Sequence, residues 1–289
     1  MAGWVVGVIG GSGLYGIDGL EDPRWERIAS PFGAPSDEVL TGTLGPVRLV
    51  FLPRHGRGHR LPPSDVNARA NIDVLKRAGC TDILSLSAVG SLREALSPGD
   101  FVVVDQFIDR TFARQASFFG PGLAAHVSMA EPVCPRLSGL AAAAARAAGA
   151  RVVEGGCYLA MEGPQFSTKA ESALYRSWNC DVIGMTNMPE AKLAREAELP
   201  YACVAMVTDY DCWRESAAHV QVAHIQEVLT ENANLAKDLV RRLAQALPRD
   251  RAASPIDTCL DGALITAASA RDPAMIAALS AVAGRALRA

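Results

Sequence analysis

The sequence has no CxxC pair, no run of some 20 apolar residues and no excess of basic charge, and each absence removes a class of function. Its seven cysteines, an odd number, are scattered without metal-binding or redox spacing. Reduced thiols in a cytoplasmic protein are the expectation. The most nearly apolar stretches, Ala141–Ala150 and Pro200–Val207, fall far short of the roughly 20 residues a membrane-spanning helix needs, and Arg146 interrupts the first. No membrane association is expected. Lys and Arg number 28 against 31 Asp and Glu, a formal charge of −3 that offers no broad basic field to nucleic acid. Met1–Ile9 has no basic stretch ahead of an apolar run, so no export signal is expected. A GxSxG elbow is missing too, and His55, His59, His126, His219 and His224 do not fall into the usual helical ligand motif. Neither a metal nor covalent catalysis is expected.

What remains is a chain of 289 residues, 49% hydrophobic, long enough for one large core. Short β-branched runs recur at Trp4–Ile9, Val47–Leu52, Asp82–Ala88, Phe101–Val104, Asp181–Met185 and Tyr201–Val207. Several are almost continuously apolar, as strands covered on both faces must be. Helical patterns lie between them: Ser64–Ala78 with a Ser cap candidate and Gly79 behind it, Pro135–Ala148 before Gly149, Pro189–Ala197, and the long Val220–Leu247. The alternation predicts a single α/β domain, a mainly parallel or mixed sheet flanked by helices, with a core over about 4–247. Pro248–Pro255 is the one linker-like stretch, and a last helix near Pro273–Leu287 either packs on the body or docks on a neighbour.

Ligands of α/β sheets gather outside the carboxyl ends of strands, and polar chemistry follows the apolar runs repeatedly. Gly10-Gly11-Ser12-Gly13 can bring backbone amides and the Ser12 hydroxyl to an anion, though a tight turn would use the same glycines. Gly11, Gly13 and Gly16 formally satisfy GxGxxG, which keeps a nicotinamide-dependent dehydrogenase open; no Lys-Ser/Thr follows, which removes a Walker loop. Arg54-His55 offers a guanidinium fork and an imidazole for phosphate, with a solvated charged loop as the alternative. Ser87 and Ala88 stand at another strand end. Glu162-Gly163-Pro164-Gln165-Phe166-Ser167 combines a carboxylate, a turn and an aromatic ring suited to a nucleoside, and also suits a plain structural turn. Met185-Thr186-Asn187 precedes a helix start, where an anion is favoured and where ordinary capping would look the same. Asp209 and Asp211, two apart in an extended segment, face one side, so their repulsion should raise one pKa and ready a general acid.

Taken in order, GVIGGSGLYG, PRHGRGHRLPPSDVNARAN, MEGPQFSTKAES and DVIGMTNMPEAKLAREAELPYACVAMVTDYDCW closely resemble the methylthioadenosine phosphorylase branch of the purine nucleoside phosphorylase family, from about Gly7 to Leu247. The resemblance implies phosphorolysis of 5′-methylthioadenosine to adenine and 5-methylthioribose 1-phosphate with no metal or organic cofactor, inorganic phosphate as co-substrate, and a homotrimer. It implies a phosphate site at Ser12, Arg54, His55, Ser87, Ala88 and Thr186, and a sugar against Met185 and near Phe166. The base would lie near Ser167 with Asp209 and Asp211 at its N7 and exocyclic amine. Val222 and Ile225 match positions that receive the methylthio group, and His126 one that reaches the adjacent subunit. Asn187 departs from the pattern, standing where a second hydroxyl often follows Thr186. A 6-oxopurine or methylthioinosine phosphorylase is the neighbouring alternative, disfavoured by Asp211, whose carboxylate repels a carbonyl oxygen. A regulatory nucleoside-binding protein is the non-catalytic one.

Overall fold

The computed structural model describes residues 3–11, 14, 16–214 and 222–288, and for 222–226 the backbone alone. Among these residues eleven strands form one mixed sheet: β1 (Val5–Gly10), β2 (Glu21–Glu26), β3 (Val39–Leu44), β4 (Val47–Pro53), β5 (Asp82–Ser91), β6 (Asp100–Val104), β7 (Gln106–Arg110), β8 (Arg151–Glu154), β9 (Cys157–Met161), β10 (Val182–Gly184) and β11 (Tyr201–Tyr210). The helices are α1 (Ala68–Arg77), α2 (Pro135–Ala147), α3 (Lys169–Ser177), α4 (Glu190–Glu196), α5 (Val222–Ala246), α6 (Pro273–Ala278) and α7 (Gly284–Arg288). The central strands run in parallel as β4-β1-β5-β11. Their carboxyl ends therefore meet along one edge, which collects the loops singled out in the sequence.

Side-chain alternation divides the interior into two cores. Ile9, Val50, Leu52 and Ile83 point to one face, covered by Ile72, Val74 and Leu75 of α1 and Ala191 and Leu193 of α4. Val8, Leu49, Phe51 and Leu84 point to the other, under Leu137 and Ala141 of α2 and Leu239, Val240 and Leu243 of α5. Burial on both faces explains why these strands read as continuous apolar runs. Strands β2, β3, β7 and β8 lack that signature; β2 (EDPRWE) is almost wholly exposed and is held by pairing with β3.

Three local expectations change. Asn67, not Ser64, caps α1, its Oδ1 accepting from the Ala70 amide at 3.1 Å, while Ser64 turns its hydroxyl to Glu162. Pro248–Pro255 is no loose linker, because Arg251 binds Asp257 at 2.7 and 2.9 Å and also grips Asp82. The last helix is two short ones, with Leu279, Val282 and Ala283 buried in the core between them and Arg285 paired to Glu198 at 2.5 Å, so it packs on the body. After the glycine loop no helix opens among the described residues, and the chain runs instead into β2. The dinucleotide reading loses its strand-to-helix turn.

Candidate active site

Arg54 follows the end of β4, and its amide donates to the Gly10 carbonyl at 3.0 Å, locking two strand ends together. Its side chain is buried and grips Glu190 at the start of α4 through Nε (2.9 Å) and Nη2 (3.1 Å). Nη1 donates to Leu86 O at 3.0 Å and Nη2 to Ser85 Oγ at 2.6 Å. The fork expected to face a phosphate is therefore spent on a carboxylate of the protein, because burying a guanidinium demands a partner. One Nη1 hydrogen and the positive charge remain to be offered. Burial alone would raise the Glu190 pKa, but Arg54 holds it below the usual carboxylate range. Tyr201 donates toward Glu190 at 2.7 Å and lies 2.8 Å from Asn187 Oδ1, which also accepts from Ser85 at 2.5 Å. Asn187, in a left-handed conformation (φ 69°), thus belongs through its Oδ1 to the support beneath Arg54.

His55 is buried beside Arg54, its ring stacked on His59 at 4.4 Å. Burial and the neighbouring Arg54 charge pull its pKa down to about 4, so it is neutral at physiological pH. Ser87 and Thr186 meet with their hydroxyl oxygens 2.7 Å apart, and the buried Tyr158 hydroxyl lies 3.3 Å from each. Ala88 is exposed next to them. Arg54, Met185, Thr186 and Glu190 share the wall of one small cavity. The described members of the expected phosphate set thus converge from three chain segments. Ser12 lies outside the described residues, as do the side chains of Val222 and Ile225.

Asp209 lies at the end of β11 and Asp211 directly after it, where the register with β5 shifts between Val207 and Asp209. Both carboxyls have raised pKa values, and burial is the main cause in each. Mutual repulsion, the cause expected from their spacing, is secondary for Asp209, whose rise the neighbouring Asp211 charge only augments. Thr208 Oγ1 lies 2.7 Å from Asp209 Oδ1 and 3.1 Å from Val89 O. The hydroxyl has one proton for these two acceptors, and where it donates to Asp209 it favours the carboxylate and opposes the rise due to burial. Asp211 Oδ2 is sealed from solvent and takes no hydrogen bond of normal geometry from a described residue. Gly90 keeps the space between the two open: a Cβ there would sit 3.6 Å from Asp209 Oδ2 and from Asp211 Cβ.

The 162–167 turn reaches this corner, since Cys212 Sγ donates to Ser167 O at 3.3 Å, and Phe166 is 83% exposed above it. Glu162 is already used within the chain. Burial would raise its pKa, yet Ser64, the Phe112 and Ala113 amides and Arg114 together pull it down to about 2. Arg114 is the residue the motifs missed: its buried guanidinium also donates to the carbonyls of Met185 (2.8 Å), Met188 (2.7 Å) and Glu162 (2.8 Å), tying the two loops together. No local pattern marks it in the sequence. At Gly163 a side chain would collide with Met185 Sδ at 2.5 Å, which brings these loops into direct contact. His126 lies apart and exposed, its amide bonded to Ala263 O.

A family model, the Phosphorylase superfamily, matches residues 5–245. The chain belongs to this superfamily. Curated relatives that phosphorylase membership brings into view include the S-methyl-5'-thioadenosine phosphorylase of Cereibacter sphaeroides, 60% identical over 98% of this chain and 99% of that protein. That of Bradyrhizobium diazoefficiens is 59% identical over 98% of each chain. Among solved structures, a methylthioadenosine phosphorylase from an antarctic soil metagenomic library superposes with a TM-score of 0.92 at 44% identity, covering 96% of this chain and 98% of that one. Methylthioadenosine phosphorylase from Schistosoma mansoni in complex with adenine gives 0.84 at 36% identity, over 90% and 99%. The phosphorylase fold thus spans the strands and loops that carry the expected site.

Proposed function

We propose that this chain catalyses phosphorolysis of 5′-methylthioadenosine to adenine and 5-methylthioribose 1-phosphate. Asp211 carries the reading: a buried carboxyl beside the Ser172 hydroxyl and the Cys212 amide, whose Oδ2 takes no hydrogen bond of normal geometry among the described residues, suits the exocyclic amine of a 6-aminopurine and opposes a 6-oxo group. Relatives that share 59–60% of the sequence and bear the name of this activity support it.

Phosphate is held by Arg54, His55, Ser87, Ala88 and Thr186, with Ser12 from the glycine loop, so that attack on the anomeric carbon occurs between positioned reactants. A phosphate oxygen bonds to C1′ as the C1′–N9 bond breaks and its electron pair passes to the purine. Asp209 gives its proton to N7, neutralising the departing base, while the phosphate charge stabilises the cationic sugar. Asp211 accepts from the amine, Ser167 and Phe166 lie beside the base and sugar, and Met185 packs under the sugar. Val222 and Ile225 form the apolar wall for the methylthio group, which gains only about 1–3 kcal/mol over a hydroxyl. The reaction needs no metal or organic cofactor. A homotrimer, in which the exposed His126 of each chain reaches the next site, and a cytoplasmic role in purine and methionine salvage complete the assignment.

The test is incubation with phosphate and, separately, methylthioadenosine, adenosine, methylthioinosine and inosine, following base release. Phosphate-dependent release from methylthioadenosine is expected; preference for the 6-oxo pair would refute the assignment.

A further inference from the structure

His55 is fixed by its own turn. Its Nδ1 lies 2.9 Å from the Leu61 carbonyl, and the Leu61 amide donates back to the His55 carbonyl at 3.1 Å. A carbonyl oxygen can only accept, so Nδ1 bears a hydrogen, and a neutral imidazole has just one. Nε2 is then a bare lone pair, and among the described residues it has no partner. Charging the ring to make Nε2 a donor is opposed from two sides. Arg54 precedes it in the chain and His59 stacks on its face at 4.4 Å and 12°. Glu190 on α4 is the one acid acting the other way, and it is already neutralised by Arg54. The turn needs its glycine, since at Gly56 (φ 72°) a Cβ would press on Arg60 Nε at 2.8 Å and Ser36 O at 3.0 Å.

We propose that His55 recognises its anion as a hydrogen-bond acceptor, Nε2 taking the proton of hydrogen phosphate or hydrogen arsenate and disfavouring an anion without a proton, such as sulfate. The inference rests on the phosphate site assigned above and adds to it the protonation state that the site selects. At mildly alkaline pH hydrogen phosphate and sulfate are both tetrahedral dianions that differ chiefly by one proton. Arg54 and whichever of the Ser87 and Thr186 hydroxyls does not donate to the other can donate to either one. The lone pair at Nε2, the group there with no proton to give, separates them, because a sulfate oxygen meets another lone pair instead of a donor. Selection against sulfate is thus built from a hydrogen bond that one ion can complete and the other cannot.

The experiment follows base release from methylthioadenosine at pH 8 and constant ionic strength, with phosphate or arsenate as co-substrate and sulfate as competitor, in wild type, His55→Ala and His55→Gln. In wild type arsenate should support release with a KM close to that of phosphate, whereas the sulfate Ki should exceed the phosphate KM by roughly 10–100-fold, the usual cost of one unmatched buried hydrogen bond. In His55→Ala the two anions should become nearly equal. His55→Gln, whose amide can accept or donate, should also lose the selectivity while binding phosphate better than His55→Ala does. Thermal melts establish that each variant is folded, and if the Ala variant is not, the Gln variant decides. Sulfate as potent as phosphate in wild type, or selectivity that persists in a folded variant, overturns the proposal. Absence of base release with both phosphate and arsenate would instead overturn the phosphorylase assignment, and calorimetric binding of phosphate against sulfate then decides the role of His55 by the same ratio.

Discussion

The pair Arg54–Glu190 is the most exposed to a quantitative test, because both members are almost sealed from water, at 3% and 5% exposure, and joined by contacts of 2.9 and 3.1 Å. Glu190→Gln keeps the shape and removes the charge. Arg54 is then a buried cation whose remaining partners, Leu86 O, Ser85 Oγ and Ile9 O at 3.5 Å, are all neutral. Breaking a buried pair from one side costs about 3–5 kcal/mol, and full burial gives no reason to discount that for solvent screening. With an unfolding entropy of about 2.1 cal/mol/K per residue, a chain of 289 residues changes by ~0.6 kcal/mol per degree, so Tm should fall by about 5–8 °C. Arg54→Leu should cost a similar amount, since it strands Glu190 in the same way. The double variant Arg54→Leu/Glu190→Leu removes both charges and fills the space with apolar groups, so it should cost less than the sum of the single changes by about 2–3 kcal/mol. Calorimetric melts and urea titrations of the four proteins measure the cycle. A Glu190→Gln protein melting within a degree of wild type, or strictly additive single changes, would show that the pair is not the uncompensated liability its burial implies.

Asp209→Asn removes the transferable proton and keeps the shape, so single-turnover cleavage of methylthioadenosine should slow by about 10²–10⁴-fold with little change in substrate binding. The raised pKa of Asp209 carries a sign that can be checked: proton binding favours the folded state below the unfolded pKa, and that benefit is lost as pH rises through the folded one. Base release should therefore decline on the alkaline side of that pKa, and Asp209→Asn should gain Tm relative to wild type at pH 8 more than at pH 4. Asp211→Asn turns an amide donor toward the base, so the ratio of methylthioinosine to methylthioadenosine activity, measured under one set of conditions, should rise even if both rates fall. Arg114→Gln should lower Tm by several degrees through loss of charge-assisted bonds worth about 1.5–3 kcal/mol each, and should raise the nucleoside KM as the Glu162 and Met185 loops separate.

The positions of β1, β4, β5, β6, β10 and β11, the two-faced burial of β1, β5 and β11 and the place of the loops at their carboxyl ends were legible in the sequence, since periodicity and apolar continuity are local consequences of burial. So were the pairing of phosphate and base chemistry on separate loops and, through the ordered motifs, the family. Exposed edges such as β2 were not, because cross-strand pairing holds them and their own side chains report only solvent. Tertiary structure alone decided what each polar group faces. It placed Glu190 against an arginine 136 residues earlier, so the fork of Arg54 closes on protein, and it made Asn187 a support where its neighbours suggested a ligand. It also assigned the raised pKa values of Asp209 and Asp211 chiefly to burial, and it drew Arg114 from an unremarkable stretch into contact with two site loops. The physical reason is the same in each case. A hydrophobic pattern is written along one element, whereas a hydrogen-bond partner and a local dielectric are set by segments far apart in the chain that meet only when the sheet and its helices close.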